Sequence, residues 1–231
     1  MSRNIALIPA AGVGERFGAG KPKQYVEING KTVLEHTLDL FLNHPQIDYT
    51  AVVLSPNDGF FQTAFTDAAR LGVFRVGGAS RAETVRNGVN VLLQQGLACE
   101  TDNILVHDAA RCCLPSEALS RLIAEAGGKA QGGILAVPVA DTLKRADAAK
   151  CIGETVARAG LWQAQTPQLF QAALLARALT DTDLREITDE ASAVEKLGVK
   201  PLLVQGDTRN LKLTLPQDEY IVRLLLAEGA K

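Results

Sequence analysis

No Cys-x-x-Cys pair occurs in this chain. Its four cysteines, Cys99, Cys112, Cys113 and Cys151, lack the spacing that builds zinc sites, and they read as packing or incidental surface residues. Charge of one sign is not in excess either: Lys and Arg total 24 against 26 Asp and Glu. No global basic field draws the chain to DNA or RNA, so nucleic acid is not expected as a partner. No apolar run approaches the roughly 18 residues that cross a bilayer. Met1-Ser2-Arg3-Asn4 leads into a strand too short for a signal-peptide core. The expectation is a cytoplasmic protein with no membrane partner, in a compartment that disfavours disulfides. Linkers, internal repeats and low-complexity tracts are also missing. One domain over residues 1–231 is expected, and 47% hydrophobic composition is enough for one sizeable core.

What is present is an alternation. Short apolar runs rich in branched residues, at Asn4–Ile8, Thr50–Leu54, Val73–Val76, Ile104–Val106, Ile134–Val137 and Leu202–Val204, have the pattern of buried parallel strands. Helical periodicity lies between them. Thr32 to Leu42 places Leu34, Leu38 and Phe41 on one face behind a Thr cap; Ala79 to Leu93 and Pro115 to Glu125 read similarly, and Gln217 to Glu228 reads as a closing amphipathic helix. The alternation predicts an α/β fold: a single doubly wound, mostly parallel, Rossmann-like sheet with ligands at the carboxyl ends of its strands.

Residues 139–162 break the pattern. Polar alternation, a turn at Ala146-Asp147-Ala148-Ala149 and a second extended stretch through Glu154-Thr155-Val156-Ala157-Arg158 predict a projecting β-hairpin arm. An isolated two-stranded hairpin is marginal in water, so Leu143, Ile152, Val156 and Leu161 are expected to meet a second surface. A plain solvent-exposed hairpin is the alternative.

The densest chemistry follows the first strand. Ile8-Pro9-Ala10-Ala11-Gly12-Val13-Gly14-Glu15-Arg16-Phe17-Gly18-Ala19-Gly20-Lys21-Pro22-Lys23-Gln24 is a loop of small residues carrying separated cations. Gly and Ala let the backbone come close enough to an anion for its N–H groups to point inward, and Arg16 and Lys23 add full charge around the same cavity. This composition suits a nucleoside triphosphate. A dinucleotide-binding fingerprint would want a third glycine at fixed spacing and an acid further on, so a dinucleotide-dependent oxidoreductase is disfavoured.

Pro9-Ala10-Ala11-Gly12-x-Gly14-x-Arg16 followed by Pro22-Lys23-Gln24 resembles the signature of the cytidylyltransferases that make 4-diphosphocytidyl-2-C-methylerythritol in isoprenoid synthesis. Further blocks keep that family's order: Gly77-Gly78-Ala79-Ser80-Arg81, Val106-His107-Asp108-Ala109-Ala110-Arg111, Asp141-Thr142-Leu143-Lys144-Arg145, Gln165-Thr166-Pro167-Gln168, Thr188-Asp189-Glu190-Ala191-Ser192 and Asn210-Leu211-Lys212-Leu213-Thr214. The resemblance covers nearly the whole chain. It implies a nucleotidyltransferase-type fold with an arm that embraces a second copy, giving a homodimer with shared active sites.

Transfer of a nucleotide to a sugar phosphate needs little acid–base chemistry. A phosphate monoester has its second pKa near about 6, so the nucleophile is mostly dianionic at neutral pH and no general base is required. Two anions must be brought together and charge stabilised on the transferred group, which calls for cations and a divalent metal, Mg2+ or another.

Carried over from the family, Arg16, Lys23, Arg158 and Lys212 are the expected catalytic cations. Ala10, Ala11, Gly12, Gly14, Gly78, Thr84 and Asp108, with Arg16 and Lys23, are expected to bind CTP. Gly77 and Gly78 would lie beside the cytosine ring. Asp108, Arg111, Thr142, Arg158, Thr166 and Lys212 are expected around the acceptor, a polyol phosphate, with Thr142 and Arg158 reaching from the arm into the neighbouring subunit's site. Asp108 is also the candidate magnesium ligand, beside the CTP phosphates.

Competing roles stay open at this stage. Arg81 and Thr84 could simply serve a helix start, Asp108 and Arg111 could be an ion pair, His107 is expected to pack, and Asp189 and Glu190 read as helix caps and dipole partners. The related activity on ribitol 5-phosphate, and a regulatory nucleotide-binding module without turnover, are the other functional readings.

Overall fold

The computed structural model describes residues 2–12, 21–62 and 69–229. In chain order the elements are β1 (Asn4–Pro9), a short ribbon of β2 (Glu27–Ile28) and β3 (Lys31–Thr32), α1 (Val33–Leu42), β4 (Tyr49–Val53), β5 (Leu71–Phe74), α2 (Arg81–Gln94), β6 (Asn103–Val106), α3 (Ser116–Ala126) and β7 (Gly133–Pro138). There follow β8 (Leu143–Ala146) and β9 (Ile152–Val156), which form the arm, then β10 (Trp162–Gln171), α4 (Ala172–Thr180), α5 (Glu190–Glu195), β11 (Leu202–Gln205) and α6 (Asp218–Gly229).

Seven strands make the central sheet in the order β11-β7-β10-β6-β1-β4-β5. All pairings are parallel except those of β10, which runs antiparallel to both β6 and β7. The reason lies in the connection. β7 and β10 are joined without a crossover helix, and the Val139 N–H donates to the Leu161 carbonyl at 3.0 Å where the arm leaves the sheet. The pair is therefore one long hairpin with the arm as its far end.

Alternate residues of each strand supply two cores. Ala6 and Ile8 of β1, with Val52, Leu105, Leu135 and Leu169, meet α1 and α3; Ile5 and Leu7, with Val53, Ile104, Val106 and Phe170, meet α2, α4 and α5. Helices on both faces bury these strands on both sides, which is why their sequences read as unbroken apolar runs. The expected α1 face is the observed one: Leu34, Leu38 and Phe41 are buried behind a capping box of Thr32 and Glu35. Each such side chain contributes about 1.5–3 kcal/mol by burial.

Several boundaries differ from expectation, most by one or two residues. The third apolar run pairs as Leu71–Phe74 rather than Val73–Val76, because β4 ends at Val53 and pairs Phe74 there, leaving Val76 to lead into the glycine turn. In the arm the turn spans residues 147–151, closed by Asp147, whose Oδ1 accepts the N–H groups of Ala149 and Cys151 at 2.9 Å. The second arm strand accordingly ends at Val156, short of Arg158. Ile152 is 67% exposed and Leu161 39% exposed on this single chain. Among the described residues no helix is long and apolar enough to cross a membrane.

Candidate active site

The loop after β1, the turn before α2 and the segment after β6 converge at the carboxyl edge of the sheet, as the topology requires. Between them lies a cavity of about 470 Å³ lined in part by small residues, Pro9 to Gly12, Gly78, Ala79, Ala109 and Ala110. Lys23, Arg81, Asp108 and Lys212 add charge to its wall. Gln24, 5% exposed, props the loop by donating through Nε2 to the carbonyls of Ala10 at 3.0 Å and Gly12 at 2.8 Å. Lys23 Nζ donates to the Leu213 carbonyl at 2.9 Å, joining this loop to the segment that carries Lys212.

Gly77 is a spacing requirement. A Cβ there would stand 2.3 Å from Ala11 Cβ and 2.7 Å from the Leu54 carbonyl oxygen, so any side chain would push the turn off the loop. Beyond it, Ser80 caps α2 through the Glu83 N–H, and the Gly78 N–H donates to Thr84 Oγ1 at 3.1 Å. Thr84 in turn donates to the Ser80 carbonyl at 2.9 Å. The Thr84 hydroxyl, expected to contact the base, therefore spends its proton inside the turn and acts by fixing Gly78.

A smaller cavity of about 220 Å³ adjoins the first and is lined by Arg81, Asp108, Arg111, Gln165, Thr166 and Lys212 among others. Arg81, Asp108 and Lys212 line both, forming the partition between them. Asp108 Oδ1 accepts from Arg81 Nε at 2.9 Å, while Oδ2 faces Lys212 Nζ at 2.9 Å and Arg111 Nε at 3.4 Å. Glu190 takes the remaining edge of Arg81, with NH1 at 2.6 Å and NH2 at 3.1 Å. Arg111 NH1 goes to the Asn210 carbonyl at 2.7 Å. Three cations against two carboxylates leave this cluster one positive charge in excess. Burial alone would raise the Asp108 carboxyl, yet Arg81, Lys212 and Arg111 hold it far below the usual carboxylate range. Burial also opposes the Arg81 charge, and Glu190 and Asp108 outweigh it, so Arg81 is raised.

Behind Asp108 sits a buried relay. The Asp108 N–H donates to Thr166 Oγ1 at 3.1 Å, and Thr166 Oγ1 lies 3.0 Å from Nδ1 of the fully buried His107. His107 Nε2 lies 2.9 Å from the Arg111 carbonyl. These contacts are satisfied together when Nε2 carries the proton and the Thr166 hydroxyl donates to Nδ1. Burial pulls the ring down to about 4, which keeps it neutral. His107 thus packs and bonds structurally, as expected, and Thr166 turns its hydroxyl toward the relay while lining the smaller cavity.

The structure brings together Ala10, Ala11, Gly12, Lys23, Gly78, Thr84, Asp108 and Lys212 around the larger cavity, and Asp108, Arg111, Thr166 and Lys212 around the smaller. Gly14 and Arg16 lie outside the described residues. Thr142 and Arg158 are exposed on the arm and line neither cavity of their own chain.

Glu190 was expected as a cap; Asp189 does the capping, through the Ser192 N–H, while Glu190 is buried against Arg81. No local signal distinguishes the two carboxylates, since the Arg81 partner is 109 residues away.

Asp108 does not fit the role of magnesium ligand in this arrangement, because both oxygens face cations that a metal would have to displace. Among the described residues no group of three His, Cys, Asp or Glu side chains could hold a metal ion.

Comparison with known proteins gives a consistent result. A family profile described as 2-C-methyl-D-erythritol 4-phosphate cytidylyltransferase matches residues 4–228. The protein of that name from Neisseria gonorrhoeae (strain NCCP11945) is 70% identical over 224 residues, covering 97% of each chain. Its namesake from Chromobacterium violaceum is 55% identical, covering 96% of this chain and 97% of the relative. Among solved structures, a 4-diphosphocytidyl-2C-methyl-D-erythritol synthase superposes with a TM-score of 0.87 at 65% identity, covering 98% of this chain and 100% of the other. The 2-C-methyl-D-erythritol 4-phosphate cytidylyltransferase of Francisella tularensis gives a TM-score of 0.81 at 32% identity, covering 97% and 100%.

Proposed function

The chain belongs to the 2-C-methyl-D-erythritol 4-phosphate cytidylyltransferase family, and from that membership we infer how its residues carry out the reaction. It transfers CMP from CTP to 2-C-methyl-D-erythritol 4-phosphate, giving 4-diphosphocytidyl-2-C-methyl-D-erythritol and pyrophosphate, a step in isoprenoid precursor synthesis. The observation that carries the mechanistic reading is the partition of Arg81, Asp108 and Lys212 shared by a nucleotide-sized cavity and a smaller one.

In this reading CTP occupies the larger cavity, with its base near Gly78 and its triphosphate near Lys23 and Arg16. The acceptor phosphate occupies the smaller one. An oxygen of that phosphate attacks the α-phosphorus in line; the new O–P bond forms as the bond to the bridging oxygen breaks, and pyrophosphate leaves with the electron pair. The nucleophile arrives ionised, so the protein supplies position and charge rather than a base. Lys212, on the partition, and Arg111 offset the acceptor's charge, and Lys23 and Arg16 offset charge on the transferred and leaving groups. Asp108, held ionised, lines the smaller cavity and fixes Lys212 and Arg111 beside the acceptor. Magnesium, when bound, would sit on the triphosphate oxygens and neutralise them further.

Exposed apolar residues on the arm, Ile152 and Leu161, support a homodimer in which Thr142 and Arg158 complete the neighbouring site, the Arg158 fork suiting a phosphate. The whole chain then works as one nucleotidyltransferase domain with an arm at about 139–162, in the cytoplasm where CTP is available.

Pyrophosphate release with magnesium and CTP tests the assignment, run with methylerythritol phosphate, ribitol 5-phosphate or no acceptor, and with UTP as nucleotide control. Release is expected only with CTP and methylerythritol phosphate. A response to ribitol phosphate would move the activity to that acceptor. CTP binding with silence for every acceptor would leave a regulatory module.

A further inference from the structure

Glu190 is the one charged group of the cluster that lines neither cavity. It opens α5, its side chain is 1% exposed, and both oxygens are spent on NH1 and NH2 of Arg81. A guanidinium prefers to grip a carboxylate through two parallel N–H groups. Arg81 has two carboxylates within reach; Glu190 holds that paired edge, and Asp108 is met through Nε alone. Asp108 consequently keeps Oδ2 for Lys212, at 2.9 Å, with Arg111 Nε farther off at 3.4 Å. Without the Glu190 charge, Arg81 would turn its freed edge onto Asp108 and compete with Lys212 for the same carboxylate. The cluster's excess would also rise from one positive charge to two.

We propose that Glu190 is a positioning residue for nucleotidyl transfer: by holding the outer edge of Arg81 it reserves Asp108 Oδ2 for Lys212, and so fixes that ammonium on the partition where the acceptor phosphate and the triphosphate meet. The proposal rests on the reaction reading given above. It places the determinant of acceptor geometry on a helix that touches no substrate. Glu190 is thereby separated from Asp189, which caps the same helix and contacts Gln168.

The test compares Glu190→Gln, which keeps the shape and removes the charge, with the unsubstituted chain. Measured are the KM for each substrate, kcat, CTP affinity without acceptor, and thermal stability. A Glu190→Gln chain is expected to bind CTP within about twofold of the parent, to raise the acceptor KM, and to lower kcat by about tenfold to a hundredfold, as a shift of order 1 Å in a positioned group does. Kinetic constants within twofold of the parent overturn the proposal.

If Glu190→Gln loses both stability and CTP binding, Glu190→Asp decides. It keeps the charge on a side chain one methylene shorter. Restored stability and CTP binding with kcat still low supports positioning; recovery of kcat along with stability, or failure of this chain to fold, assigns Glu190 a structural role and overturns it. The parent in the same assay separates the two readings, since an inactive parent refutes the reaction itself before any variant is considered.

Discussion

Gln24 Nε2 donates to the Gly12 carbonyl at 2.8 Å, tying the end of the Pro-Lys-Gln segment to the loop that precedes it. Its second donor goes to Ala10, so one buried amide ties Ala10 and Gly12 to the Pro-Lys-Gln segment. Replacing Gln24 by Leu keeps the volume and strands two carbonyls. The expected outcome is a loss on the order of 2 kcal/mol in denaturant titrations and a raised KM for CTP with acceptor KM little changed. Unchanged CTP affinity would show that the loop holds its form without this amide.

Lys23 and Arg16 carry the charge proposed to act on the transferred phosphoryl group. Lys23→Ala and Arg16→Ala should each reduce kcat by about a hundredfold while CTP affinity falls far less, because the interaction strengthens as charge develops. Steady-state kinetics beside direct CTP titration reads this. Equal losses in both would mean the cations bind the ground state and do no more.

His107 predicts a pH dependence of stability. Its folded value is pulled by burial from the ordinary 6.5 to about 4, so between those values the unfolded chain binds a proton that the folded chain refuses. Stability is full above pH 6.5 and falls as the pH drops toward 4, by on the order of 3 kcal/mol for this ring. His44 is lowered by burial too and adds in the same direction. Urea titrations at several pH values should therefore show a steeper slope in the parent than in a His107→Asn chain, which keeps the His44 part and that of the carboxylates held low by their partners, Asp102, Asp108, Asp183 and Asp207. Identical slopes would remove His107 from the account.

Sharing of sites across a dimer has a direct consequence for mixed proteins. An Arg158→Ala chain and a Lys212→Ala chain should each be nearly inactive alone. Mixed subunits should regain activity, because one of the two sites in each heterodimer then has both groups. Absence of recovery in heterodimers verified by mass would refute the shared site.

The legible parts of this fold are those where one residue pattern has one use. Ile5, Ala6, Leu7 and Ile8 read as a strand because both faces are buried, and the Thr32 cap announces α1. β10 was not legible as a strand. Gln163, Gln165, Thr166 and Gln168 interrupt its apolar pattern and Pro167 argues against a central position. Three of them are buried for the site's sake: Gln168 holds Asp189 and the Ala191 N–H, Gln165 holds the Asp207 carbonyl, and Thr166 serves His107 and Asp108. The glycine loop and its cations were readable as local composition. The Arg81–Glu190 pair was not, because an ion pair across 109 residues has no local spacing to betray it.

Much of the larger cavity's lining is small residues: Pro9 to Gly12, Gly78 and Ala79, and Ala109 and Ala110. A larger side chain at these positions takes space from the ligand, and at Gly77 even a methyl group collides with the loop opposite. An inhibitor that fills the cavity at those positions would thus face a target with few routes to resistance.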